Sequence, residues 1–201
     1  MEPSSAEARA RIRELAASLA GRFDELASWL AVPDPLWSTR PGPGVWSVGE
    51  VVEHLVLMQG FVLLLVDKIG ARCLSRRECG GTRPAAACDL ALLQALGSAD
   101  LRWPHPEHMT PTGCARRADL AAELAQQRRR SLAWLERLPQ GEGALHAIRM
   151  SVVGRKLDLY GYLHLVDVHI ARHLRQMERN RDRLSPSATP RAPSGSAPPA
   201  P

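Results

Sequence analysis

The sequence lacks a long apolar run. The longest one, residues 61–66, is followed directly by Asp67 and Lys68. Because a helix needs about 20 apolar residues to cross a bilayer, we predict no membrane span. The first residues, 1–15, are polar and charged, which argues against a secretory leader. We therefore expect a soluble, cytoplasmic protein that does not bind a membrane.

The sequence also has few cysteines. Its four cysteines include no CxxC pair, which is the spacing that many zinc sites and redox motifs use. We interpret them as reduced thiols and not as an extracellular disulfide framework. A loose Cys/His group in the central region matches no zinc-ribbon spacing, so we expect no second metal site from it. The members of this group are Cys73, Cys79, Cys88, His105, His108 and Cys114.

Nucleotide-binding and nucleophile motifs are absent, and these patterns identify no catalytic residue. The net charge of +5 is a mild argument for an anionic partner. The basic runs at residues 126–130 and 172–183 have acidic neighbours and no interleaved aromatic residues. We interpret these runs as solvated helix faces, and we expect a small-molecule substrate in place of nucleic acid.

Four segments repeat apolar residues at three- and four-residue steps, which predicts amphipathic helices. They are residues 5–30, 48–69, 116–138 and 158–183. No segment has a strand pattern, so the sequence predicts an all-α fold, a four-helix bundle.

The connections complete this prediction. Residues 71–115 predict a long crossover between helices 2 and 3, with one short helix, and we interpret it as a lid or as a decorated connection. Residues 34–46 predict a loop, and residues 144–157 predict a loop with a strand-like or helical turn. We expect one domain at 1–184 and a disordered Pro/Ser/Ala-rich tail at 185–201.

Two helix starts have specific signals. Ser47 and Glu50 have the spacing of a capping box at the start of the second helix. Asp158 is the expected N-cap of the last helix, with Leu157 and Tyr162 placed to form a hydrophobic staple.

Three histidines suggest a metal site. His169 and His173 lie four residues apart beside the core stripe of the last helix, so their side chains point into one volume. His54 lies among inward residues of the second helix, and it would supply the third ligand if the two helices are neighbours. Three imidazoles would leave a position for water or substrate. The alternative is that these histidines are semi-buried and hydrogen-bonded, or face solvent.

Four further residues lie near these motifs, and two of them, Gln176 and Trp46, have two interpretations each. Gln176 is a candidate partner for a ligand histidine or for a bound water, and otherwise a rim residue. Trp46 either anchors the helix start or lines the site, so both residues are candidate cofactor contacts. His164 is expected on another face of the helix from His169. His146 precedes the helix.

The segments at residues 46–59, "WSVGEVVEHLVLMQ", and 154–179, with "HIARHLRQ" inside it, resemble the DinB/YfiT-like superfamily. Members have a WS…E…HL pattern at the start of helix 2 and H…H..Q in helix 4. The resemblance implies a four-helix bundle with a crossover. It also places the family's three metal-binding histidines on His54, His169 and His173.

The resemblance also implies a chemistry. Relatives include S-transferases that use bacillithiol and an isomerase that uses mycothiol, in which a divalent metal favours the thiolate. The implied cofactors are a divalent metal (zinc, nickel or iron) and a low-molecular-weight thiol, with a small electrophile as substrate. Relatives are often dimers, which makes a homodimer an expected partner state. The alternative is a non-catalytic metal-binding or interaction module in a stress response.

Overall fold

The computed structural model describes residues 5–81, 107–150 and 154–185, and it is an all-α bundle. Four long helices and one short helix make up this fold. They are α1 (Ser5–Ser28), α2 (Asp34–Ser38), α3 (Val48–Glu78), α4 (Arg117–Arg137) and α5 (Leu159–Leu184). A small antiparallel hairpin of β1 (Ala147–Met150) and β2 (Arg155–Asp158) precedes α5. The predicted four-helix bundle is therefore confirmed.

Some predictions fall outside the described residues. These are the disordered tail, apart from Ser185, and the middle of the crossover with its short helix. The division into a domain at 1–184 and a tail stays a prediction. The segment predicted as a loop at 34–46 begins with α2, which the sequence analysis did not predict. Pro35 in the first turn of α2 explains this start, because its fixed φ suits a helix start.

The predicted end of the second helix, at residue 69, is wrong. Helix α3 continues to Glu78, nine residues past the expected end, so part of the predicted crossover is helical. The buried Cys73 belongs to this extension and packs in the core. Gly70 permits close packing here, because a β-carbon at this position would lie 2.5 Å from the Trp134 Cη2 atom of α4. The Trp134 ring therefore packs directly on the Gly70 backbone, and the helix continues past this glycine.

The long helices pack as neighbours in four pairs: α1 with α4, α1 with α5, α3 with α4, and α3 with α5. Gln127 of α4 donates to the Val56 carbonyl, and Trp134 further along α4 donates to Asp67, so α3 and α4 are parallel. Two parallel neighbours cannot be joined by a tight turn. The chain must return along the length of α3, about 46 Å for 31 residues, which explains the long crossover.

Helix α5 runs antiparallel to α3. Trp46, just before α3, meets Asn180 near the end of α5, whereas His54 meets His169 nearer the middle of α5. The predicted capping box at Ser47 is present and fixes the first turn of α3 at this end of the bundle. These contacts set the register between the two helices.

Both predicted helix starts are confirmed. Glu50 N donates to Ser47 Oγ at 3.2 Å, and Ser47 N donates to Glu50 Oε2 at 2.8 Å. An ion pair with Arg40 lowers the pKa of Glu50 and holds the preceding loop against α3. At α5, Gly161 N donates to Asp158 Oδ1 at 2.8 Å, as expected of an N-cap.

Helix α3 is the one described helix that is long and apolar enough to cross a membrane. However, 61% of its most apolar window is buried inside the bundle. The core helix of a soluble bundle has the same composition, so this is weak evidence for a span. The absence of membrane binding stays a prediction.

The buried cap at Asp158 predicts a pH dependence of stability. Burial raises the pKa of this carboxyl to about 6, against the hydrogen bonds from Gly161 and Tyr160 that lower it. Between about pH 4 and pH 6 the unfolded chain loses this proton and the folded chain keeps it, so stability falls as pH rises. We expect the ionisation of Asp158 to lower the free energy of unfolding by roughly 3 kcal/mol across that window.

An Asp158→Asn variant tests this prediction, because asparagine keeps the cap and cannot ionise. Urea unfolding of both proteins from pH 4 to pH 7 gives the difference in their free energy of unfolding. The free energy of unfolding of the variant, relative to that of the parent protein, should rise as pH increases to about 6. Above that pH the difference should stay constant. Parallel stability curves would show that the carboxyl does not titrate in this window.

Candidate metal centre

The three predicted histidines lie together between α3 and α5. His54 is in the second turn of α3, and His169 and His173 are in the middle of α5. Their exposed fractions are 4%, 7% and 7%, so all three are buried. The His54 ring centroid lies 5.4 Å from that of His169 and 5.1 Å from that of His173.

The nitrogen atoms of this cluster have the spacing that one metal ion needs. His169 Nε2 and His173 Nε2 are 3.2 Å apart, and one ligand atom from each of the three histidines lies within 4.8 Å of the others. Nitrogens at about 2.0–2.1 Å from a tetrahedral zinc ion would be about 3.3 Å apart. The donor set of three imidazoles therefore fits a first-row divalent metal.

Hydrogen bonds orient two of the rings. His54 Nδ1 donates to the Met109 carbonyl at 2.9 Å, and His173 Nδ1 donates to Gln176 Oε1 at 2.8 Å. Each bond puts the proton on Nδ1 and leaves Nε2 as the basic nitrogen. Bonds of this kind fix ring orientation and raise the basicity of histidine ligands in metal sites.

The imidazoles of α5 are neutral at physiological pH. Burial is the largest cause that holds the pKa of His169 well below its usual range, and the neighbouring His173 and His54 lower it further. Burial and then His54 lower the pKa of His173 to about 3, although its bond to Gln176 opposes this. A neutral imidazole is the form that binds metal.

Two arginines of α5 lie near enough to the histidines to act on their pKa values. Arg172 lowers the pKa of both His169 and His173, and Arg179 contributes to the lowering at His173. Arg172 is partly buried and lies near Arg175 and Arg179, which together with burial lower its own pKa. The charges of Arg172 and Arg179 disfavour the protonated form of these histidines and would favour an anionic group bound beside them.

Trp46 forms part of the wall beside His54. Its ring centroid lies 4.9 Å from that of His54, and its carbonyl accepts from Asn180 Nδ2 of α5 at 2.9 Å. The residue therefore both lines the cluster and ties the start of α3 to α5. Trp46 was expected either to anchor the helix start or to line the site, and in the structure it does both.

Glu53 holds the segment that orients His54. Its Oε1 accepts from Thr112 N at 3.0 Å and from Thr112 Oγ1 at 2.7 Å, and its Oε2 accepts from Gly113 N at 2.8 Å. This buried carboxylate fixes the turn after Met109, whose carbonyl meets His54. Glu53 and His54, adjacent in sequence, thus form hydrogen bonds to the same loop.

Other predicted residues lie elsewhere. His164 is half-buried on α5 and is not in the cluster, and His146 is next to β1. Cys73, Cys79 and Cys114 are free thiols. Cys88 and His105 lie outside the described residues, and the same holds for the side chain of His108.

Three residues that support the cluster were not predicted from the sequence. Met109 acts through its backbone, so no side-chain pattern could have indicated it. Glu53 directly precedes His54, but its partners Thr112 and Gly113 lie about 60 residues away in sequence. Asn180 had a sequence signal, since it lies seven residues after His173 on the same helix face.

The fold and the cluster define a class, the helical bundles with a candidate metal centre between facing helices. The family model of the DinB superfamily matches residues 6–177. The chain therefore belongs to the DinB superfamily. No curated protein and no solved structure matched the chain in the other two comparisons.

The hydrogen bonds of Glu53 predict a loss of stability in Glu53→Gln. The glutamine amide presents N–H groups to the donors of Thr112 or Gly113, so at least one bond is lost. We expect a destabilisation of about 1–3 kcal/mol in urea unfolding. NMR of the His54 ring should show that its Nδ1 proton exchanges faster.

The matched control is Glu123→Gln, which removes the same charge from an exposed position on α4. We expect this variant to stay within about 0.5 kcal/mol of the parent protein. Equal stability of the two variants, with an unchanged His54 proton, would show that Glu53 does not support the site.

Proposed function

We propose that the protein is a divalent-metal-dependent enzyme that activates a low-molecular-weight thiol, or water, against a small electrophile. His54, His169 and His173 would hold the metal. The reaction would be transfer of the thiol or isomerisation of the substrate. The observation that carries this proposal is the convergence of three buried imidazoles on one point.

The burial of the three rings favours a functional role for them. Burying polar groups between helices is unfavourable unless they find partners, and apolar side chains would pack here at less cost. Met109 and Gln176 accept the Nδ1 protons of His54 and His173 and keep their Nε2 nitrogens basic. These hydrogen bonds leave each Nε2 free of a proton, which is the form that a metal ligand needs and that core packing alone does not require.

A divalent ion held there would act as a Lewis acid and lower the pKa of a bound thiol or water. The protein residues would supply the rest. Arg172 and Arg179 would favour the anionic form of the nucleophile or an anionic substrate, because their charge reaches the histidines. Trp46 would keep water from the His54 side of the site.

Three imidazole ligands do not determine which divalent metal binds. Neutral imidazoles bind zinc, nickel and iron, and availability decides among them. Three protein ligands leave at least one coordination position for thiol, water or substrate, which is typical of catalytic sites. This count favours the enzyme over a closed structural site.

Metal analysis tests the proposed ligands. We expect about one divalent ion per folded chain by plasma mass spectrometry, and none in a His169→Ala, His173→Ala double variant. His54→Ala should weaken metal affinity by about tenfold or more with helix content unchanged. The matched control is His164→Ala, which removes a half-buried histidine of α5 outside the cluster and should keep the metal. Equal metal content in all four proteins would overturn the assignment.

Thiol binding tests the chemistry. Bacillithiol and mycothiol, added separately to the metal-loaded protein, should raise its melting temperature, because a ligand of the folded state stabilises it. The double variant should show no such shift. If metal binds and neither thiol shifts the melting temperature or is consumed with a model electrophile, the thiol-dependent enzyme is excluded. A water-activating enzyme or a non-catalytic metal-binding module would then be the better interpretation.

A further inference from the structure

A second candidate site lies at the opposite end of α3 from the histidines. It is a cleft of about 450 Å³ between the end of α3 and the start of the hairpin. We call it the basic cleft. Its lining includes Lys68, Arg72, Ser75 and Arg76 of α3 and His146 and Ile148 beside and within β1. Arg72 is 18 residues after His54, or about 27 Å along the helix axis, so the two sites are separate.

The cations of the basic cleft form a row. Lys68, Arg72 and Arg76 follow one another at four-residue steps, so they share one face of α3 over about 12 Å. Like charges at this spacing destabilise a helix. The helix dipole offsets this for Arg76 in the last turn, but its effect does not extend back to Lys68 and Arg72. The helix alone therefore gives no reason for the row.

Lys68 and Arg72 have no acidic partner among the residues that the structure describes. Both side chains are exposed. Elsewhere such partners are present, as for Arg128 with Asp24 and Arg130 with Asp67. The exposed cations of the row are therefore available to a ligand.

Two residues give the basic cleft a fixed wall. Arg76 donates from one terminal nitrogen to the Leu145 carbonyl at 2.6 Å, which holds its guanidinium across the cleft. Burial lowers the pKa of His146, and Arg76, Arg72 and Lys68 lower it further. His146 and these three cations therefore line the same cleft, and Lys156 of β2 adds a fourth positive charge near the histidine.

We propose that the basic cleft binds a small phosphorylated ligand. Lys68, Arg72 and Arg76 would contact phosphate oxygens, and Ser75 and His146 would donate hydrogen bonds. Arginine matches phosphate oxygens with paired N–H groups, and lysine adds a point charge. The concave shape and a volume near 450 Å³ suit a small molecule better than the extended surface of a nucleic acid.

Calorimetric titration with inorganic pyrophosphate tests the proposal, with inorganic phosphate and succinate as comparison ligands. We expect pyrophosphate to bind more tightly than succinate. A Lys68→Gln, Arg72→Gln variant should lose about tenfold or more in affinity, as expected when contacts to a charged group are removed.

The matched control is Arg11→Gln, Arg13→Gln, which removes the same charge from exposed positions on α1. It should bind pyrophosphate as the parent protein does. An equal loss in both double variants would indicate general charge attraction and overturn the site, and so would no binding to the parent protein. Equal affinity for succinate would overturn the phosphate class. The His169→Ala, His173→Ala variant should bind normally, which separates this test from the metal site.

Discussion

The antiparallel packing of α3 against α5 is the contact on which the rest of the structure depends. It brings His54 to His169 and His173, although more than a hundred residues separate them in sequence. The register is fixed at one end by Trp46 and Asn180. A shift of one helical turn, about 5.4 Å, would separate rings whose nitrogens now share one small volume.

Buried polar groups make this contact demanding. Each imidazole between the helices needs a partner, because an unsatisfied buried donor or acceptor costs about 1–3 kcal/mol. The partners come from different places: Gln176 from the same helix, and the Met109 carbonyl from the end of the crossover. Glu53 in turn holds that end of the crossover. The long connection therefore contributes to the centre through its backbone.

The two ends of α3 differ in charge and in chemistry. The N-terminal end places His54 beside Trp46 and the two histidines of α5, whereas the C-terminal end carries a row of cations facing a histidine beside β1. The parallel arrangement of α3 and α4 places a different connection at each end of α3. It sends the crossover back to the histidine end and leaves the hairpin to shape the basic cleft. Membership of the DinB superfamily bears on the first of these sites, through its histidine cluster.

The sequence by itself determined the helices and the faces that they bury. The 3.6-residue period and the caps at Ser47 and Asp158 are local, so the pattern of each segment predicted its inward residues and the shared direction of His169 and His173. It did not predict the continuation of α3 past Gly70, because Trp134, distant in sequence, covers that glycine. Likewise, pattern alone did not decide the strand pairing in the hairpin.

Only the tertiary structure decided which helices are neighbours and in which direction they run. It placed the Met109 carbonyl at His54, Glu53 under the loop, and the cation row beside His146. The physical reason is that these contacts join residues far apart in the chain. Their formation depends on how whole helices pack, and no periodicity within one segment encodes that packing.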